Sequence, residues 1–281
     1  MSFVYAYKLE KGIKIISDTY PTIANNEMLK LEKRFQPIEY NNFSKYGFLK
    51  TIIYKSNITI SSAGNVEHFN EFLRFLYQNN IEEIKIIISE AFNLNFRYNG
   101  DTDFIITTEN TIYQITENGV KNVSSSWIGD KDAFDAFIKF QKNYTPDEIY
   151  YTKEVSEDIR KQDIMDLTID TAFESLIKNP KINTVGGFVV RCILKDKQYK
   201  FLGTYVSEIV KSQIIEIGTP VNFDSSAELG GFTFMAPNSC KYYYGYFFQT
   251  NKYIVYKPGY THDNYKYLSM PHIVDKEEEC L

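Results

Sequence analysis

Residues 2–18, SFVYAYKLEKGIKIISD, constrain the fold more than any other stretch of this chain. Ser2-Phe3-Val4-Tyr5-Ala6-Tyr7 is dense in β-formers, and Glu10-Lys11-Gly12 is a turn in which glycine tolerates φ > 0. Ile13-Lys14-Ile15-Ile16 is the return strand, closed by Asp18. Lys8, Glu10, Lys11 and Lys14 interrupt any apolar signal core, so no targeting segment is expected and the protein is expected in the cytoplasm. The same stretch also carries chemistry. If Met1 is removed, Ser2 holds a hydroxyl and a free α-amine on one residue. An amine titrating near pH ~8 can serve as the base for its own hydroxyl. The structural alternative is that serine is simply a common second residue.

Further on, Leu49 to Tyr54 and Asn57 to Ser62 form a second hairpin pattern around Lys55-Ser56, ending at Ala63-Gly64. Asn65 is placed to cap a helix in which Val66, Phe69, Phe72, Leu73 and Leu76 recur on one face. Glu83 to Ile88 reads as a strand or a short helix. Phe104 to Thr107, Thr111 to Ile115 and Val123 to Ile128 read as strands, with Asn118-Gly119 as a hairpin turn. A helix follows Asp130, with Ala133, Phe134, Phe137, Ile138 and Phe140 apolar, and another spans about Ile164 to Lys178. A short helix is expected over Glu27 to Arg34. Gly186-Gly187 opens a strand over Phe188 to Leu194. Hairpins, a helix, strands, two helices and strands again indicate an α+β architecture.

Two spacings and two shorter marks resemble the proteasome β-subunit family of N-terminal-nucleophile hydrolases and its simpler bacterial relatives. The family places an Asp sixteen positions after the nucleophile, and 18 − 2 = 16 puts Asp18 there. It places a Lys about fourteen positions before an Ala-Gly pair, and 64 − 50 = 14 matches Lys50 to Ala63-Gly64. Lys33 or Arg34 is the alternative cation if the insertion within residues 19–47 lies after them. Gly129-Asp130-Lys131 stands where the family has Gly-Ser-Gly. Gly186-Gly187 keeps the family's Gly-Gly without the Asp and Ser that precede it there. The resemblance covers about residues 2–200. It implies an αββα four-layer sandwich, leaving 201–281 as a β-rich extension packed on it.

The resemblance also implies a peptidase or amidase. Ser2 Oγ attacks a carbonyl and the Ser2 amine takes the proton. Lys50 favours the neutral amine by like-charge repulsion, Asp18 holds Lys50, and the Gly64 N–H faces the oxyanion. Asp130 either pairs with the Ser2 ammonium or replaces the missing acidic residue ahead of Gly186-Gly187. Each residue has a plainer role: Asp18 closes a turn, Lys50 is a solvated strand residue, and Gly64 releases a strand into a helix. A retained Met1 would turn the amine into an amide and leave a noncatalytic scaffold or interaction subunit. The expected partners are a peptide or protein substrate and further copies of the chain.

Three odd, widely spaced cysteines, Cys192, Cys240 and Cys280, suggest neither a disulfide framework nor a zinc site, and His68, His262 and His272 lack ligand spacing. No cofactor or metal is expected. Residues 201–281 are rich in Tyr and Phe with interleaved Lys, a pattern of either a stacking platform or a sheet. A net charge of −5 favours the sheet and speaks against nucleic acid. No apolar run approaches membrane-spanning length, so no membrane partner is expected.

Overall fold

The opening residues form the expected hairpin in the computed structural model, which describes residues 2–20, 48–146, 155–179, 181–209, 231–239, 243–248, 251–256 and 272–274. Strand β1 (Phe3–Leu9) pairs antiparallel with β2 (Gly12–Ser17), placing Val4 opposite Ser17 and Leu9 opposite Gly12. Both faces of β1 are buried. Phe3 and Tyr7 point one way, and Val4 and Ala6 the other, as the two-residue period of a strand requires. The hairpin is therefore the centre of a sheet. β8 (Ser125–Gly129) flanks β1, and β9 (Val190–Lys195) and β10 (Gln198–Phe201) continue beyond β2, giving the order β10-β9-β2-β1-β8.

The second sheet runs in sequence order through β3 (Thr51–Lys55), β4 (Ile58–Gly64), β5 (Thr102–Thr107), β6 (Ile112–Thr116) and β7 (Gly119–Val123). Between β4 and β5 lie α1 (Val66–Gln78) and α2 (Ile84–Arg97). The Asn65 side chain caps α1 by accepting from the Glu67 N–H at 2.9 Å. The stretch Glu83 to Ile88, which reads as a strand or a short helix, is the start of α2. Ile87, Ala91 and Leu94 recur at i, i+4 and i+7 and are all buried in the core, which outweighs the β-preference of the isoleucine run. One core cluster unites Val4, Ala6, Ile13 and Ile15 of the first sheet with Ile52 and Ile60 of the second and with Phe72, Leu76 and Ile87 of α1 and α2.

The other face of the first sheet is covered by α3 (Lys131–Asn143) and α4 (Glu157–Lys178). Phe3, Tyr7 and Ile16 pack there on Phe137, Ile169, Phe173 and Leu176. Helix α4 begins seven residues before the expected Ile164. Ser156 caps it by accepting from the Ile159 N–H, and Glu157 and Asp158 complement the dipole of the first turn.

The sequence-based αββα four-layer sandwich is corrected here. The described residues of the tail form a sheet of their own in the order β11-β12-β13-β14-β15: β11 (Thr204–Ile209), β12 (Gly231–Ala236), β13 (Tyr243–Phe247), β14 (Lys252–Tyr256) and β15 (His272–Val274). Its inward residues Phe234, Tyr243, Phe247, Ile254 and Tyr256 belong to the same core cluster as Val4 and Ile60. The described residues thus form three antiparallel five-stranded sheets with four helices. The physical reason lies in the alternation of the tail. Large aromatics at every second position are buried only by pairing strand to strand and closing on the existing core. The expected domain boundary near residue 200 falls at the end of β10. No helix among the described residues is long and apolar enough to cross a membrane. The helix expected over Glu27 to Arg34, the alternative cations Lys33 and Arg34, and Cys240, His262 and Cys280 lie outside the described residues.

Candidate active site

Antiparallel pairing brings the ends of several strands to one place. Ser2 precedes β1, Asp18 follows β2, Lys50 precedes β3, Gly64 ends β4 and Asp130 follows β8. Within the first sheet, Phe3 lies opposite Gly129 and Val4 opposite Ser17. In the second, Thr51 lies opposite Ser61 and Gly64 opposite Thr102.

The two sheets are joined at these ends by an ion pair. Lys50 Nζ donates to Asp18 Oδ1 at 2.6 Å, and the side chains are 1% and 0% exposed. Lys50 Nζ also donates to the Tyr20 carbonyl at 2.8 Å. The carboxylate is held by backbone as well. Asp18 Oδ1 accepts the Phe3 N–H at 3.1 Å, and Oδ2 accepts the Tyr20 and Gly186 N–H groups, each at 3.2 Å. Four donors on one buried carboxylate satisfy the requirement that a buried charge be paired and hydrogen-bonded. Burial pushes the Lys50 ammonium below the ordinary lysine value, and the Asp18 charge opposes that shift in part. The spacing that selected Asp18 and Lys50 therefore selected two side chains that touch. Neither is a solvated residue or a simple turn closure.

Ser2 is buried, and its carbonyl accepts the Asp130 N–H at 2.8 Å. Gly129 makes this approach possible. A Cβ there would stand 1.8 Å from the Ser2 oxygen and 3.3 Å from Ala63 Cβ, and φ is +107°. Ser2, Gly129 and Ala63 are thus in mutual reach, and Gly64 is the next residue along β4. The reason for glycine at position 64 differs from the one expected. A Cβ there would meet Asp101 O at 2.0 Å, so the absent side chain makes room for the neighbouring chain. The Asp130 carboxylate also has a local duty: Oδ1 accepts the Ala133 N–H at 2.9 Å and caps α3.

Sequence reasoning missed the backbone partners. Tyr20 supplies both a carbonyl to Lys50 and an N–H to Asp18. Gly186 supplies an N–H to Asp18 and a carbonyl to the Thr19 N–H at 3.3 Å. Thr19 Oγ1 accepts the Phe188 N–H at 2.9 Å, fastening the segment after α4 to the end of β2. Gly186-Gly187 was the available signal, and its use lies in main-chain atoms that no side-chain motif encodes. A hydroxyl chain was missed too. Thr51 Oγ1 lies 3.2 Å from Ser17 Oγ and 2.9 Å from Ser61 Oγ, linking the sheets beside Lys50.

A scan against protein-family models returns no match for this chain, and a search of curated proteins likewise returns none.

Proposed function

We propose that the chain is a proteasome-like N-terminal-serine peptidase or amidase, active once Met1 is removed. The observation that carries this reading is the buried Lys50–Asp18 pair, whose carboxylate also binds the N–H of Phe3, the residue next to Ser2. In this mechanism the Ser2 Oγ attacks the substrate carbonyl while the Ser2 α-amine takes the hydroxyl proton. The C–N bond then breaks, the proton passes to the leaving amine, and water releases the acyl group from Oγ. The Lys50 charge keeps the amine neutral and basic, and Asp18 fixes Lys50. The Gly64 N–H meets the oxyanion, a contribution of about 10²–10³ in rate. The substrate is a peptide or protein, and the enzyme works as a cytoplasmic homo-oligomer. A noncatalytic interaction subunit is the second reading, favoured by the commitment of the Asp130 carboxylate to helix capping.

The test is the intact mass of the untagged protein, followed by labelling with a hydroxyl-reactive peptide boronate. Loss of Met1 with labelling that Ser2→Ala abolishes supports hydrolysis. Retention of Met1, or labelling unmoved by Ser2→Ala, leaves the interaction subunit.

A further inference from the structure

The third sheet carries a row of side chains that the proposed chemistry does not use. Its register places Tyr205 of β11 opposite Met235 of β12, Met235 opposite Tyr246 of β13, and Tyr246 opposite Tyr253 of β14. The inward neighbours Phe234, Phe247 and Ile254 are in the core, so this row is the outward face. Tyr205 is 59% exposed and Met235 42%, and Phe248, whose ring lies 4.8 Å from that of Tyr246, is 43% exposed. Tyr246 and Tyr253 are half-buried with ring centroids 4.7 Å apart. None of the five is charged.

We infer that this row is a docking surface for a proline-rich segment of another polypeptide in polyproline II conformation. Three arguments select that occupant. The first is size. Aromatic side chains of roughly 150–250 Å² each at these exposures present on the order of 400 Å², about half of the ~800 Å² that one partner of a stable dimer buries. An extended chain needs no more than a strip. The second is charge: nucleic acid requires phosphate neutralisation, and the row has no cation on a chain of net charge −5. The third is repeat. A polyproline II helix advances about 9.3 Å per three-residue turn, and alternate strands of a sheet lie about 9.6 Å apart. A ligand crossing the strands therefore lands successive turns on Tyr205 and Tyr246, with Met235 and Tyr253 at the same repeat one strand along. Its rigid backbone loses little entropy on binding. This surface is independent of Ser2 and stands whether or not the chain hydrolyses peptides.

The experiment is fluorescence anisotropy with the full chain and a labelled decaproline, beside a glycine–serine decamer, triproline, a ten-nucleotide single-stranded DNA and a β-glucan hexasaccharide. The expected result is saturable decaproline binding at least tenfold tighter than the glycine–serine peptide. Tyr205→Ala and Met235→Glu should each weaken it at least fivefold, and Ser2→Ala should leave it unchanged. Triproline, which spans only about 9 Å, should bind far more weakly. Absence of saturable binding, equal affinity for the glycine–serine peptide, indifference to both surface variants, or a preference for the DNA or the glycan overturns the inference.

Discussion

Lys50 and Lys14 are both buried lysines paired with aspartate, at 1% and 2% exposure, yet their surroundings give them different work. Lys50 meets one carboxylate, Asp18, that is itself fully buried and saturated by backbone N–H groups. Lys14 reaches across from β2 to α4, where Asp166 and Asp170 each accept at 2.9 Å. Their side chains are 32% and 23% exposed, so water shares their charge. Arg191 extends the second cluster to Asp170 and Glu174 along the same helix. A buried cation held by half-exposed carboxylates fastens a helix to a sheet. A buried cation held by a buried carboxylate fastens the ends of two sheets out of reach of water. Residue type is equal in the two places, and the water that reaches the partner decides the difference.

The comparison breaks first at Lys50. Lys50→Ala or Asp18→Ala strands a buried charge and is expected to cost about 3–5 kcal/mol in urea unfolding. The double variant should recover part of that, with a coupling energy above about 2 kcal/mol. A single-variant cost under about 1 kcal/mol would place the pair with surface ion pairs. Lys14→Met comes next, at about 1–2 kcal/mol, because Asp166 and Asp170 can hydrate once the ammonium is gone. A loss equal to that of Lys50→Ala would erase the distinction. Glu174→Gln, removing an exposed partner of Arg191, should cost below about 1 kcal/mol and lose even that in molar salt.

The smallest expected effect sharpens the contrast with a carboxylate that has no cation partner among the described residues. Asp103 is partly buried beside the Asn95 amide, which donates to it at 3.3 Å, and burial raises it to about 6. Its folded value lies above the ordinary carboxylate value. The folded state therefore binds the extra proton between about pH 4 and 6, and the group destabilises above that window. Asp103→Asn should raise Tm by roughly one degree at pH 8, an effect discounted for solvent exposure. At pH 4 it should change nothing. A lowered Tm at pH 8 would show that the charged form is favoured in the fold.

What the sequence made legible follows from what is local. Asp18 and Lys50 could be paired in advance only through the spacings of the family they resemble, because they flank strands of two different sheets whose packing no local pattern states. Asp130 could have been read as a cap, since Asp directly ahead of an amphipathic helix is a standard helix start. Tyr20 and Gly186 act through main-chain atoms and leave no side-chain trace. The third sheet was visible as strand-forming composition, but its closure on Val4 and Ile60 depends on long-range pairing that no window of residues contains.

The bond from the Phe3 amide to Asp18 has a spectroscopic consequence. That amide proton senses the carboxylate charge directly, beside the residue proposed to react. In a ¹⁵N-labelled sample its resonance becomes a reporter of the ion pair. It should shift when the Asp18 charge is neutralised by substitution, and it should exchange with solvent only as fast as the ends of β1 and β2 open.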